Sequence, residues 1–156
     1  MREAAAVAPD RVALVAGVAD PAARRTWTYA ELLDEATTVA KALRARFEPG
    51  ERLAVWAPNY PEWVVLQFGS AMAGIVLVTV NPAFRASEVQ YVLQQSRSAG
   101  IVTATEFRGN PMLATVQEVQ PECPELREII RFDEWKDLLE SGAAFRGELP
   151  EPKPSD

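Results

Sequence analysis

Histidine is absent from these 156 residues, and cysteine occurs once, as Cys123. The first absence removes the commonest acid–base side chain at neutral pH. The two together exclude an internal disulfide and any classical Cys/His zinc site. Basic residues are few, 16 against 22 acidic ones, giving a net charge of −6. A nucleic-acid backbone is gripped by clustered cations, and the only adjacent pair, Arg24 and Arg25, reads as a solvated loop before a helix. No nucleic-acid partner is expected. Long apolar runs are missing too: the longest, Ala71 to Val80, is half of what a bilayer requires, so no integral membrane segment is expected. The start is too short and too acidic for a secretory leader, and a cytoplasmic setting is the default expectation.

Phosphate-binding loops are also missing. Neither Gly-x-x-x-x-Gly-Lys-Ser/Thr nor Gly-x-Gly-x-x-Gly occurs, so the usual backbone cradles for nucleotide phosphates are not encoded. Ser70, in Phe68-Gly69-Ser70-Ala71, lacks the flanks of a nucleophile elbow and reads as helix packing. Cys123 sits between Pro121 and Pro124 with no basic helper nearby, and reads as inert. Glu31, Asp34 and Glu35 read as a solvated helix face rather than paired catalytic carboxylates. No catalytic, cofactor-binding or metal-binding residue is assigned within 1–156.

What remains is a good α/β chain. With 48% apolar and 24% charged residues, it has the composition of one folded domain, able to bury roughly 70% of its unfolded surface. Val12 to Ala16 reads as a strand closed by Gly17. Thr28 and Glu31 have the spacing of a capping box. The helix behind them carries an apolar stripe at Leu32, Leu33, Ala36, Val39, Ala40, Leu43 and Phe47, and is expected to run to Glu48-Pro49-Gly50. Arg52 to Trp56 reads as a buried strand, and Pro61 suits a first helical turn. That helix is expected to run to Ala73, stopped by Gly74.

Ile75 to Val80 is continuous and β-branched, as in a parallel sheet covered on both faces. Ser87 and Gln90 repeat the capping-box spacing, with a helix expected to close near Ser98. Strands are expected at Gly100 to Ala104 and Leu126 to Ile130. A helix from Asn110-Pro111 to Val119 lies between them, and Phe132 to Leu139 reads as a short surface helix. Helix and strand alternate, which implies a mostly parallel sheet flanked by helices. Ligands collect beyond the carboxyl ends of such strands. The loops Ala57 to Tyr60 and Thr79 to Pro82 are therefore the places to touch a ligand or a neighbouring part of a larger protein. Trp56, Tyr60 and Trp63 read there first as packing groups.

Trp27-Thr28-Tyr29-Ala30-Glu31-Leu32, the run Glu48 to Asn59, Pro61 to Val65, Ala73 to Pro82 and Ser87 to Leu93 follow one another in an order that resembles the opening of adenylate-forming enzymes. The resemblance covers residues 10 to 140 and is greatest to bacterial fatty-acid–CoA ligases, the acyl-CoA synthetases. It implies the incomplete N-terminal subdomain of the acyl-CoA synthetase large domain over 1–145, with a proline-rich tail over 146–156 at a truncation point. It implies a parent that uses ATP, magnesium and coenzyme A to turn a carboxylic acid into an acyl-adenylate and then a thioester. The family's phosphate loop, adenine and ribose contacts and C-terminal lysine have no counterpart here, so this segment alone is expected to bind no cofactor and to be inactive. Expected partners are the remainder of the ligase and, for the isolated segment, a second copy as a homodimer or with an exchanged element. The resemblance is compatible with a parent lying against a membrane. Three alternatives stand: a non-enzymatic α/β binding or scaffold module, a piece of another acid-adenylating enzyme, and a short gene product that pairs with a separate chain.

Overall fold

The computed structural model describes residues 1–150. From 151 on, the proline-rich tail lies outside the described residues. The chain opens with helix α1 (Arg2–Val7), strand β1 (Val12–Val15) and strand β2 (Thr26–Thr28). β1 and β2 pair antiparallel, with a register irregularity between Val12 and Leu14. Sequence patterning did not reveal α1 or β2, since six alanine-rich residues and a three-residue strand are too short to show a period. β2 matters all the same, because it plants Trp27 in the core at 1% exposure.

Thr28 caps the long helix α2 (Tyr29–Arg44) as the sequence implies: its side chain accepts the Glu31 N–H, and the Glu31 carboxylate accepts the Thr28 N–H at 2.8 Å. α2 ends at Arg44, three residues short of Phe47. Phe47 is buried nonetheless, from the connecting turn. There follow β3 (Arg52–Trp56), α3 (Pro61–Met72), β4 (Val76–Val80), α4 (Ala86–Ser96), β5 (Gly100–Thr103), α5 (Met112–Val119), β6 (Glu128–Arg131) and α6 (Trp135–Ala144).

The main sheet has the order β4-β3-β5-β6, and every pairing is parallel. α2, α3 and α6 pack together, as do α4 and α5. The chain steps from β3 outward to β4, then back across β3 to β5 and on to β6. Right-handed crossovers on these steps put α3 on one face and α4 and α5 on the other. The reversal makes the carboxyl ends of β3 and β5 a topological switch point.

Three expectations are corrected. The β-branched run at 75–80 is an edge strand and is not covered on both faces: Val76 is 50% exposed, whereas β3 and β5 at the centre are buried. Composition recorded the strand's apolar character but not its neighbours. α4 begins two residues early, with Arg85 as N-cap and its N–H donated to Glu88 at 2.9 Å, so Ser87 and Gln90 lie within the helix. The helix expected over 132–139 is present at the surface but longer: Phe132–Glu134 is a 3-10 turn leading into α6, which runs to Ala144 with Lys136, Asp137 and Glu140 outward and packs on α2 through the buried Trp135 and Leu138. Its contact is closed by Gly142, where any Cβ would collide with the Thr38 carbonyl. Gly69 plays the same part between α3 and α2, where a Cβ would come within 2.7 Å of Val39 Cγ1.

Candidate functional site

The switch point gathers the loops singled out from sequence. Trp56, at the end of β3, is fully buried, and its indole N–H donates to Asn81 O at 2.9 Å, tying the β3 loop to the β4 loop. Beside it the buried Thr103 hydroxyl, at the end of β5, lies 3.1 Å from both Trp56 O and Ala104 O in a three-centre donation. A buried hydroxyl without such partners would cost on the order of 1–3 kcal/mol, so the pair fixes both strand ends. Trp56 therefore has the packing role expected of it. Tyr60 meets the edge of Phe132 at 5.3 Å between centroids, and Phe132 stacks on Trp135 at 5.9 Å.

Two concavities open on this edge. One, of about 300 Å³ beyond β3, β5 and β6, is lined by Tyr60 and Phe132 with Glu62, Glu106 and Asp133. Asp133 is already committed: it accepts the Thr105 hydroxyl at 2.8 Å and lies 3.1 Å from Arg131 Nε. The other, of about 530 Å³ beyond β3 and β4, is neutral, with Trp63 and Phe84 among its walls beside Asn59, Asn81 and Pro82. Sequence reading found the loops of the second concavity. It missed Thr103, Thr105, Phe132 and Asp133, which lack any motif and meet only through the β5–β6 pairing.

A third concavity, of about 500 Å³ between Trp27, Asp34 and Glu140, is formed by β2, α2 and α6. Its polar centre serves the fold. Glu35, taken from sequence as solvated, accepts the Trp27 indole N–H at 2.8 Å, the Trp135 indole N–H at 3.0 Å and the Arg25 guanidinium at 2.6 Å. Arg25 also lies 4.0 Å over the Trp27 ring, so this exposed loop residue, as expected before the helix, is in addition tied to the Trp27–Glu35 pair. Glu31 is held below the ordinary carboxylate range, chiefly by the Thr28 N–H. Cys123 is buried, and burial together with Glu122 and Glu125 pushes its thiol up, which disfavours the thiolate. Ser70 is fully buried inside α3, with no partner for its hydroxyl among the described residues.

Chemically, the strand ends supply aromatic walls, carboxylates and neutral amides. The carboxylate-lined concavity has no lysine or arginine in its wall, and the neutral one has none either. Triphosphate is held by focused cations and backbone donors, and the residues present do not fit it.

A family profile described as AMP-binding enzyme matches residues 1–156. This chain belongs to the AMP-binding enzyme family. The mitochondrial medium-chain acyl-CoA ligase ACSF2 of Danio rerio is 32% identical over 157 aligned positions, 87% of this chain and 25% of that protein. Among solved structures, Mycobacterium smegmatis MbtA in its apo form is 27% identical with a TM-score of 0.80, over 98% of this chain and 28% of that one. The fatty acyl CoA synthetase of Mycobacterium tuberculosis is 24% identical with a TM-score of 0.80, over 97% and 29%, and shows the same fold. The chain thus spans between a quarter and a third of the length of these proteins. Among the described residues, no helix is long and apolar enough to cross a membrane.

Proposed function

We propose that this chain is the N-terminal scaffold of an acid–CoA ligase. The whole protein would use ATP and magnesium to join a carboxylic acid to AMP, then pass the acyl group to coenzyme A. One observation carries the reading: the family profile runs through every residue, yet the switch point where α/β sheets take ligands is walled with carboxylates and neutral groups. Such an edge suits a supporting subdomain better than a nucleotide site. No residue of 1–156 is assigned as a reacting group, and residues 1–145 are the subdomain with 146–156 as a tail leading out of it. A medium- or long-chain fatty acid is the proposed substrate, supported by the name of the zebrafish relative. The proposed setting is the cytoplasm of a bacterium.

The test is acid-dependent pyrophosphate release by the longer gene product that contains this sequence, assayed across aliphatic and aromatic acids. Release with aliphatic acids of medium or greater length is expected. Release only with aromatic acids would overturn the substrate, and no release with any acid would overturn the activity. The 156-residue chain alone is expected to show no ATP binding by calorimetry at micromolar concentration. Without the rest of the ligase, the exposed Val7, Val12, Val15 and Val18 of the N-terminal segment offer an apolar surface for a second copy. Light scattering is expected to give twice the monomer mass.

A further inference from the structure

Asn110 follows β5 and is buried, at 9% exposure. Its side-chain amide donates to Pro82 O at 3.2 Å and to Phe84 O at 3.3 Å, both in the loop after β4. The residue is itself held by a tight turn. The N–H groups of Phe107 and Asn110 each donate to the other's carbonyl, at 3.0 and 2.9 Å, around Arg108 at φ 50° and Gly109 at φ 75°. Two left-handed central residues are the geometry of a two-residue hairpin turn. The loop that Asn110 grips is also closed on itself: Asn81 Oδ1 accepts the Ala83 N–H at 2.9 Å, and Asn81 O accepts the Phe84 N–H at 3.0 Å. With the Trp56 indole on Asn81 O, residues 81–84 are bonded both from β3 and from the segment after β5.

That loop supplies Asn81, Pro82 and Phe84 to the wall of the neutral concavity of about 530 Å³, which Trp63 also lines. Asn110 is not in the wall but behind it. The acid, ATP and coenzyme A of the proposed reaction are all anions. The carboxylate-lined concavity opposes each of them, whereas neutral walls admit the uncharged part of any one without facing it with a like charge. From the Asn110 bonds and this wall we infer that Asn110 is a positioning residue for the ligase. By fixing Pro82 to Phe84 it shapes a seat for an uncharged part of one reactant. The inference rests on the reading above that a longer ligase exists. A wall already in place adds to affinity, because a loop ordered only on binding consumes part of the binding energy.

Calorimetric titration of the longer protein with sodium octanoate, ATP and coenzyme A, one at a time, tests this. Asn110→Ala is expected to weaken one of the three by about tenfold, as the loss of one hydrogen bond would, and to leave the other two within about twofold. Trp63→Leu trims the wall, keeps both Asn110 bonds, and is expected to weaken the same reactant. Weakened octanoate marks the seat as one for hydrocarbon, and weakened ATP or coenzyme A as one for the uncharged part of that nucleotide. Unchanged affinities in Asn110→Ala overturn the inference. Equal weakening of all three also overturns it, since a merely structural role lowers the folded fraction for every ligand alike. A parent that binds none of the three overturns it too. Should Asn110→Ala fail to fold, Asn110→Asp keeps the volume and replaces the donor with an acceptor, and the same selective loss is required of it. Selective loss in a longer protein that releases no pyrophosphate would leave the seat intact and sink the proposed function. An active ligase whose Asn110 variants bind all three as the parent does would do the reverse.

Discussion

Glu35 and Trp135 stand 100 positions apart in the chain, and the indole N–H of Trp135 donates to Glu35 Oε1 at 3.0 Å. The other oxygen of the same carboxylate takes the Trp27 indole N–H at 2.8 Å. One side chain on α2 thus fastens the N-terminal hairpin to the last helix. The α2–α6 contact explains why residues 132–144 are not a loose surface element.

Removing that carboxylate strands the indole donors of two buried tryptophans and the Arg25 charge. Glu35→Ala is expected to destabilise the chain by about 2–4 kcal/mol, since each orphaned donor costs on the order of 1–3 kcal/mol. Glu35→Gln keeps one acceptor and should lose about half as much. Urea midpoints of the two variants check the order, and an alanine variant as stable as the parent would show the network to be ornamental.

Gly142→Ala sets a methyl group against the Thr38 carbonyl, a backbone atom that cannot rotate aside. Overpacking of this kind costs about 1–3 kcal/mol. Gly69→Ala meets Val39 Cγ1 at 2.7 Å and the Ala36 carbonyl at 3.0 Å, a lesser overlap than the closer approach to Thr38 O at Gly142, so the smaller loss is expected there. Thermal unfolding of the pair should rank Gly142→Ala as the more damaging change.

The Arg127 guanidinium donates to both oxygens of Glu51, at 2.9 and 2.6 Å, and holds the Glu51 carboxyl below its ordinary range. A carboxyl depressed in the folded state adds stability above its unfolded pKa of about 4.3, and the gain disappears as pH falls through the lower folded value. The pair is partly exposed, with side-chain exposures of 47% and 30%, so the gain is modest and salt-sensitive. Glu51→Gln is expected to be less stable than the parent at pH 7. The two should become indistinguishable once the pH is well below 4.3. A difference that persists unchanged into acid would assign the effect to packing.

Ser70 offers the opposite kind of test. Its hydroxyl is buried without a partner among the described residues, so Ser70→Ala removes an unsatisfied group and is expected to change stability by between zero and about 1 kcal/mol in the favourable direction. Chemical unfolding measures this directly. A loss of more than about 1 kcal/mol would reveal a bond the static structure does not display.

Local chemistry made much of the fold legible. The Thr28–Glu31 capping box, Pro61 at the head of α3, Gly74 at φ +72° and the strand Arg52–Trp56 each depend on neighbours within a few residues. What escaped depends on distance in the chain. Val76 and Val55 both sit in apolar runs, and nothing within five residues tells which strand ends at a sheet edge. Glu35 resembles any solvated helix glutamate until Trp135 folds against it. The loops at 57–60 and 79–82 were readable as one edge because parallel topology dictates it. The Thr105–Asp133 bond was not, because it needs the β5–β6 register.

The seating of α2 between α3 and α6 also sets a timetable for biosynthesis. The flank of α2 around Glu35 and Thr38 stays bare until codon 142 has been translated and its glycine has left the ribosomal tunnel. Until then the sheet is laid down on one side of a helix that is finished only on the other. A pause in translation upstream of Trp135 would leave that side open to chaperones, and synonymous codon choice just before it becomes a lever on yield.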